Sequence, residues 1–319
     1  SNPFTGSIDG GLHQLSGLSN LTTPLIAYAD GAIIKNIILD NVTIGNAEDV
    51  PNVGAIVANA TGETRIYNCG INGGSVGGSG DVGGIVGSLD GSARVINCYS
   101  YATITSGNNV GGIVGNNKGT TTAGSIKTMV MNCMFYGDIT GGSNMSPVYG
   151  GTNIANLHGG LNTFNYYAYQ KLPTSHITNG KYNSVLAIDD KYLNRFEFYR
   201  LLLNSNKKLA AFYASSSKET VKPSDMMKWV LETADRSIAD PKPYPVLKAQ
   251  GYYPSIINYD SNVEHVPDSA SVGRNHGGKL GKILRVHLSG TGITTSELTL
   301  QRMDKIARSE ERFSRNAET

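Results

Sequence analysis

The sequence predicts a mainly β protein: a parallel β-helix, or solenoid, of about five coils, with a small α-helical module and a short C-terminal β segment attached. Three observations carry this expectation. Two short boxes recur at offsets near 29 residues. Glycine is abundant but confined, with 31 of the 39 glycines in residues 1–160 and 8 beyond. Charge is divided the opposite way: of 52 Asp, Glu, Lys and Arg residues, 14 lie in the first half and 38 in the second. At roughly 150 residues per domain, a chain of 319 residues also reads as two parts.

The first box is Asn52-Val53-Gly54-Ala55-Ile56-Val57, repeated as Asp81-Val82-Gly83-Gly84-Ile85-Val86-Gly87 and Asn109-Val110-Gly111-Gly112-Ile113-Val114-Gly115. The second box follows each copy: Ile66-Tyr67-Asn68-Cys69, Val95-Ile96-Asn97-Cys98 and Val130-Met131-Asn132-Cys133. Its second interval is 35 residues, with Thr120–Met129 as a loop insertion. Looser copies, Ile34-Lys35-Asn36-Ile37 and Thr163-Phe164-Asn165-Tyr166, flank the set. The boxes are too short and too β-branched for helices, and Gly-Gly weakens a helix further. Strands bounded by Gly, Asn, Asp and Ser fit them, two or three to a coil.

A single coil cannot bury its inward face; stacked copies bury it for one another, about 4.8 Å apart. Equivalent residues then form ladders: Asn68/Asn97/Asn132, Cys69/Cys98/Cys133, and the glycines Gly83/Gly111 and Gly84/Gly112 at the corners. Along Cys98–Ile104, strand alternation puts Cys98, Ser100, Ala102 and Ile104 inward and Tyr99, Tyr101 and Thr103 outward. Cys133, Phe135, Gly137 and Ile139 repeat that parity. Val95 and Asn97 have the opposite one, which predicts a bend or bulge near Asn97.

The Val-Gly-Gly-Ile-Val-Gly box followed by an Asn-Cys-Tyr-type box resembles the GLUG repeat of large bacterial surface proteins, a repeat also found in non-catalytic regions of IgA-specific metallopeptidases. Phe4–Leu18 is similar to the lead-in of such repeats and reads as a first coil or cap. The resemblance covers residues 4–170. It implies an extracellular, cell-surface β-helix with adhesive or spacer roles and brings no catalytic residues.

The domains expected are a β-helix over 1–170, a helical module over 171–260, a linker with a partial β segment over 261–305, and a disordered tail over 306–319. In the second, Tyr192–Leu203 has apolar residues at helical spacing, Leu209–Tyr213 continues or restarts a helix, and Ser224 would cap another over Asp225–Leu231. Asp240-Pro241-Lys242-Pro243-Tyr244-Pro245 ends regular structure. Such a module could cover an open end of the stack.

Several functions are excluded or unsupported. A formal charge of +2 gives no phosphate-seeking field, so no nucleic-acid partner is expected. No apolar run approaches the ~20 residues of a membrane-spanning segment. Gly78–Gly83 matches GxGxxG but sits between repeat units, where a glycine-rich corner is the simpler reading. Gly273–Leu280 is one residue short of a phosphate loop and reads as linker. Asp81, with Asn52 and Asn109 as ladder neighbours, offers too few converging oxygens for a hard cation. The histidines are dispersed, so no metal, zinc included, and no cofactor is expected. Three cysteines in one ladder cannot all pair and read as buried free thiols.

Two functional readings remain. The first is a non-catalytic surface protein for adhesion or structural display, whose outward Tyr99, Tyr101 and Tyr136 would stack on glycans or host proteins. The simpler reading of the same rings is cross-strand packing on a sheet surface or cover by the helical module. The alternative is a polysaccharide-active β-helix enzyme, a lyase or glycoside hydrolase. It would need clustered carboxylates, whereas Asp9, Asp30, Asp90 and Asp138 are sparse. Arg65 and Arg94 would stack as a solvated outer ladder.

Overall fold

A computed structural model describes residues 2–45, 51–119, 128–151, 165–168, 185–188, 193, 221, 223–234 and 238–249. The repeats form a parallel β-solenoid of about five coils. Each full coil crosses five short strands, more than the two or three expected. In one coil these are Val57–Thr61, Arg65–Tyr67, Gly70–Ile71, Gly74–Val76 and Asp81–Gly83. Stacking generates sheets 1 to 5 in that order along a coil. Sheet 2 contains Ser7–Asp9, Ile33–Lys35, Arg65–Tyr67, Arg94–Ile96 and Met129–Met131. All of these pairings are parallel.

The extra strands arise because left-handed residues cut each turn into shorter pieces. Asn36, Asn68, Asn97 and Asn132 all stand at φ between 54 and 58°, between sheets 2 and 3. Asparagine tolerates that region because its short polar side chain bonds locally. The bend anticipated near Asn97 is this turn, and it recurs on every rung. Gly31, Gly62 and Gly91, at φ 60–68°, turn the chain from sheet 1 to sheet 2.

The box registers are those read from the repeat. Val82 pairs with Val53 on one side and Val110 on the other, and Gly83 with Gly54 and Gly111. Gly84 and Gly112 do not have left-handed backbone. Space is what they supply: a side chain at Gly84 would collide with the Gly112 carbonyl and with Ser100, and one at Gly112 with Phe135 and the Pro147 carbonyl. The core is narrow and aliphatic, with Val53, Ile66, Val82, Ile85, Val95, Val110 and Ile113 fully buried.

The sheet that follows the asparagine turn, sheet 3, has seven strands and runs past the expected boundary at residue 170. Asn165–Ala168 pairs in parallel with Val185–Ile188. Within 171–260 the described residues form no α-helix. The helix expected over Asp225–Leu231 is instead a 3-10 turn, Pro223–Asp225, and a strand, Lys228–Val230. That strand pairs antiparallel with Val246–Lys248, just beyond the proline run. Trp229 and Val230 are residues that favour strands, and burying Trp229 on the solenoid outweighs the capping signal at Ser224. The other helical expectation, Tyr192–Tyr213, lies outside the described residues except for Leu193. So do the segments 261–305 and 306–319. This β-ribbon lies along the flank of the stack and does not cap its end. No helix among the described residues is long and apolar enough to cross a membrane.

Candidate functional site

The flank site begins with the asparagine ladder. Each side-chain amide donates to the carbonyl oxygen of the rung before: Asn68 to Asn36 (3.0 Å), Asn97 to Asn68 (2.9 Å) and Asn132 to Asn97 (2.8 Å). Asn36 in turn donates to Asp9 Oδ1 at 2.8 Å. Asp9 also accepts from the Gly11 amide and faces Lys35, and these bonds, the Gly11 amide foremost, hold its carboxyl below the ordinary range.

The ladder has a second face. Asn68 Nδ2 donates to the Asp225 carbonyl at 2.7 Å and Asn97 Nδ2 to the Met227 carbonyl at 3.1 Å, while the Met227 amide donates to Asn68 Oδ1 at 3.0 Å. The segment before the ribbon thus runs along the stack and bonds to asparagine side chains much as a strand bonds to an edge. Sequence reading found the ladder but not this role, because the partner lies about 130–160 residues away.

The tyrosines come next. Parity is as expected: Cys98 and Cys133 enter the solenoid core, while Tyr99 and Tyr136 belong to a separate cluster outside it. That outward face is covered. Tyr99 is 1% exposed and Tyr136 fully buried, beneath Trp229 and Tyr244 of the ribbon. Tyr99 meets Trp229 at 6.1 Å between ring centres, and Tyr136 stacks on Tyr244 at 4.5 Å. Half-buried Tyr101 stacks on Tyr244 at 4.7 Å. The Tyr136 hydroxyl donates to the Pro245 carbonyl. Tyr99 and Tyr136 therefore offer no open ring to a sugar, and what covers them is the ribbon, not the helical module expected from the sequence. Burial pushes the phenols of Tyr99, Tyr136 and Tyr244 above the ordinary tyrosine range.

Where ribbon and solenoid meet lies a cleft of about 510 Å³. Its lining joins Gly11, Leu12 and Gln14 of the N-terminal turn, Ile38, Asn72 and Tyr99 of the solenoid, and Glu232, Lys242 and Val246–Ala249. Leu12 stands at φ 61°, an uncommon conformation for a bulky side chain, costing on the order of 1–3 kcal/mol. Its amide is held by the Asn36 carbonyl at 2.8 Å. The Tyr99 hydroxyl donates to Asn72 Oδ1 at 2.8 Å, which turns the Asn72 amide nitrogen away from it. Glu232 accepts from Lys248 Nζ at 2.6 Å and from the Lys242 backbone amide at 3.0 Å. None of the cleft residues except Tyr99 was picked out from the sequence, since they come from four distant stretches.

The remaining sequence candidates have structural roles. Cys69, Cys98 and Cys133 are free and buried, and desolvation pushes the thiols of Cys69 and Cys98 well up. Asp81 accepts from Asn109 (2.7 Å) and Asn116 (3.1 Å) and faces Lys118 at 3.5 Å. Its oxygens are thereby occupied by donors. No group of metal-binding side chains occurs among the described residues. Arg65 does align with Arg94, but it is buried, not solvated: its guanidinium donates to the carbonyls of Glu63 and Ser92. Gly78–Gly80 is a corner leading into strand Asp81–Gly83, and the next element is strand Val86–Leu89, not a helix. Comparison with protein-family models, curated proteins and solved structures returns no match.

Proposed function

We propose that this chain is a non-catalytic protein of the cell exterior, of the GLUG-repeat kind, that serves adhesion or structural display by binding glycans or host proteins. The observation that carries the reading is a regular polar strip on sheet 4. Thr43, Ser75 and Thr103 lie in register on three successive rungs, each half-exposed. Hydroxyls repeated at the rung spacing of about 4.8 Å present a long ligand with many equivalent weak contacts. The carboxylates Asp9 and Asp81 are held by Asn, Lys and backbone donors, an arrangement that serves packing better than proton transfer.

A glycan array and a panel of host surface proteins, both probed with the whole chain, test this reading. Retention without shortening of the ligand is the expected result. Depolymerisation of an acidic polysaccharide would replace it with the β-helix enzyme reading.

A further inference from the structure

We propose that the cleft between the N-terminal turn and the ribbon binds a sugar unit of a glycan, an inference that rests on the glycan part of the reading above. Three features of the cleft point to this ligand.

The first is a pairing of apolar wall and amide donors. Leu12, Ile38 and Leu247 supply carbon surface for the C–H face of a pyranose ring. Asn72 and Gln14 supply amides, which both donate and accept and so match hydroxyls. Because Tyr99 occupies Asn72 Oδ1, the two Asn72 N–H groups are left to a ligand, with no partner among the described residues. A burial-fixed tyrosine thus presets one recognition group, which reduces the ordering cost of binding.

An ammonium unpaired among the described residues is the second feature. Lys248 is paired with Glu232 at 2.6 Å, which leaves the Lys242 ammonium as a further donor for a sugar hydroxyl.

Strain is the third. Leu12 is kept left-handed by hydrogen bonds from the turn to Lys35 and Asn36 and lines the cleft. Backbone strain of this kind persists where a segment clamps something. The size agrees: about 510 Å³ lies in the usual range of ligand clefts and admits one or two sugar rings.

The test is titration calorimetry of the whole chain with N-acetylglucosamine, methyl glucoside and lactose, backed by the glycan array. Asn72→Leu and the rim double variant Gln14→Ala/Lys242→Ala are compared with a sheet-4 variant, Thr43→Val/Ser75→Ala/Thr103→Val. The expected result is at least a tenfold loss of sugar affinity in both cleft variants, with the sheet-4 variant binding like the parent. The rim variant keeps the test valid if Asn72→Leu fails to fold. Parent-like binding by the cleft variants, with loss in the sheet-4 variant, overturns the cleft but leaves the adhesion reading standing. A parent that binds host proteins but no sugar also overturns the cleft alone. A parent that binds neither overturns both.

Discussion

Cys98 and Tyr99 are neighbours in sequence, yet the two sides of the solenoid wall on which they lie are built by different means. The inner side is assembled from copies of itself: Cys69, Cys98 and Cys133 stack because each rung repeats the last. The outer side at Tyr99 is assembled from unlike parts, with Trp229 and Tyr244 brought from more than a hundred residues away. The inner side therefore tolerates little variation in size at any rung. The outer side depends instead on one docking event, anchored by two asparagines and a handful of rings. That division predicts that damage inside spreads through the stack, whereas damage outside stays local.

The sharpest way to break the comparison is Gly84→Val. Its side chain would meet the backbone of the next rung, which cannot withdraw without unstacking. We expect a loss of about 4 kcal/mol or more by urea unfolding, or no folded protein at all. A melt like the parent's would show that the inner wall is not rigid.

Next is Trp229→Ala, expected to cost about 3–4 kcal/mol locally. Hydrogen exchange should rise at Tyr99 and Tyr136 while the amides of Val82 and Val110 stay protected. Unfolding of the whole chain in one step at lower denaturant would refute a separable flank. Trp229→Phe should cost far less, since the indole N–H has no hydrogen-bond partner among the described residues.

Asn97 belongs to both sides and separates their contributions. Asn97→Ala removes the tolerance for φ 54° together with the bonds to Asn68, Asn132 and Met227, for about 2–3 kcal/mol. Asn97→Gly keeps the turn and should recover roughly 1 kcal/mol of that. Equal losses in the two variants would mean that backbone conformation plays no part.

The smallest effect is the alkaline response of the flank. Tyr99, Tyr136 and Tyr244 resist ionisation when folded, whereas the unfolded chain ionises them near the ordinary value of about 10. Their contribution is therefore intact below pH 10 and is lost as the pH rises beyond it. Tyrosinate absorbance should lag behind free tyrosine above pH 10 and then rise together as the flank opens. A titration that follows free tyrosine throughout would contradict the burial of these rings.

The ladders were legible because offsets of 28, 29 and 35 residues bring like on like, and alternation then assigns each side chain to a face. The bend at Asn97 was legible as a break in that alternation. The number of strands per coil was not, since left-handed asparagines and glycines divide boxes that look continuous. The ribbon was misread as a helix because a capping serine is a local signal, and the burial of Trp229 against the solenoid is not. The cleft left no trace in the sequence: Leu12, Asn72, Glu232 and Lys248 share no box and no period.

By itself, then, the sequence determined the stack, its registers and its small-residue core, because a repeat can satisfy its own contacts with its neighbours along the axis. Only the tertiary structure decided that the tyrosines are covered, that the asparagines hold a second segment, and that a cleft opens beside them. Those contacts join stretches with no common pattern, and their existence depends on where a distant ribbon comes to rest.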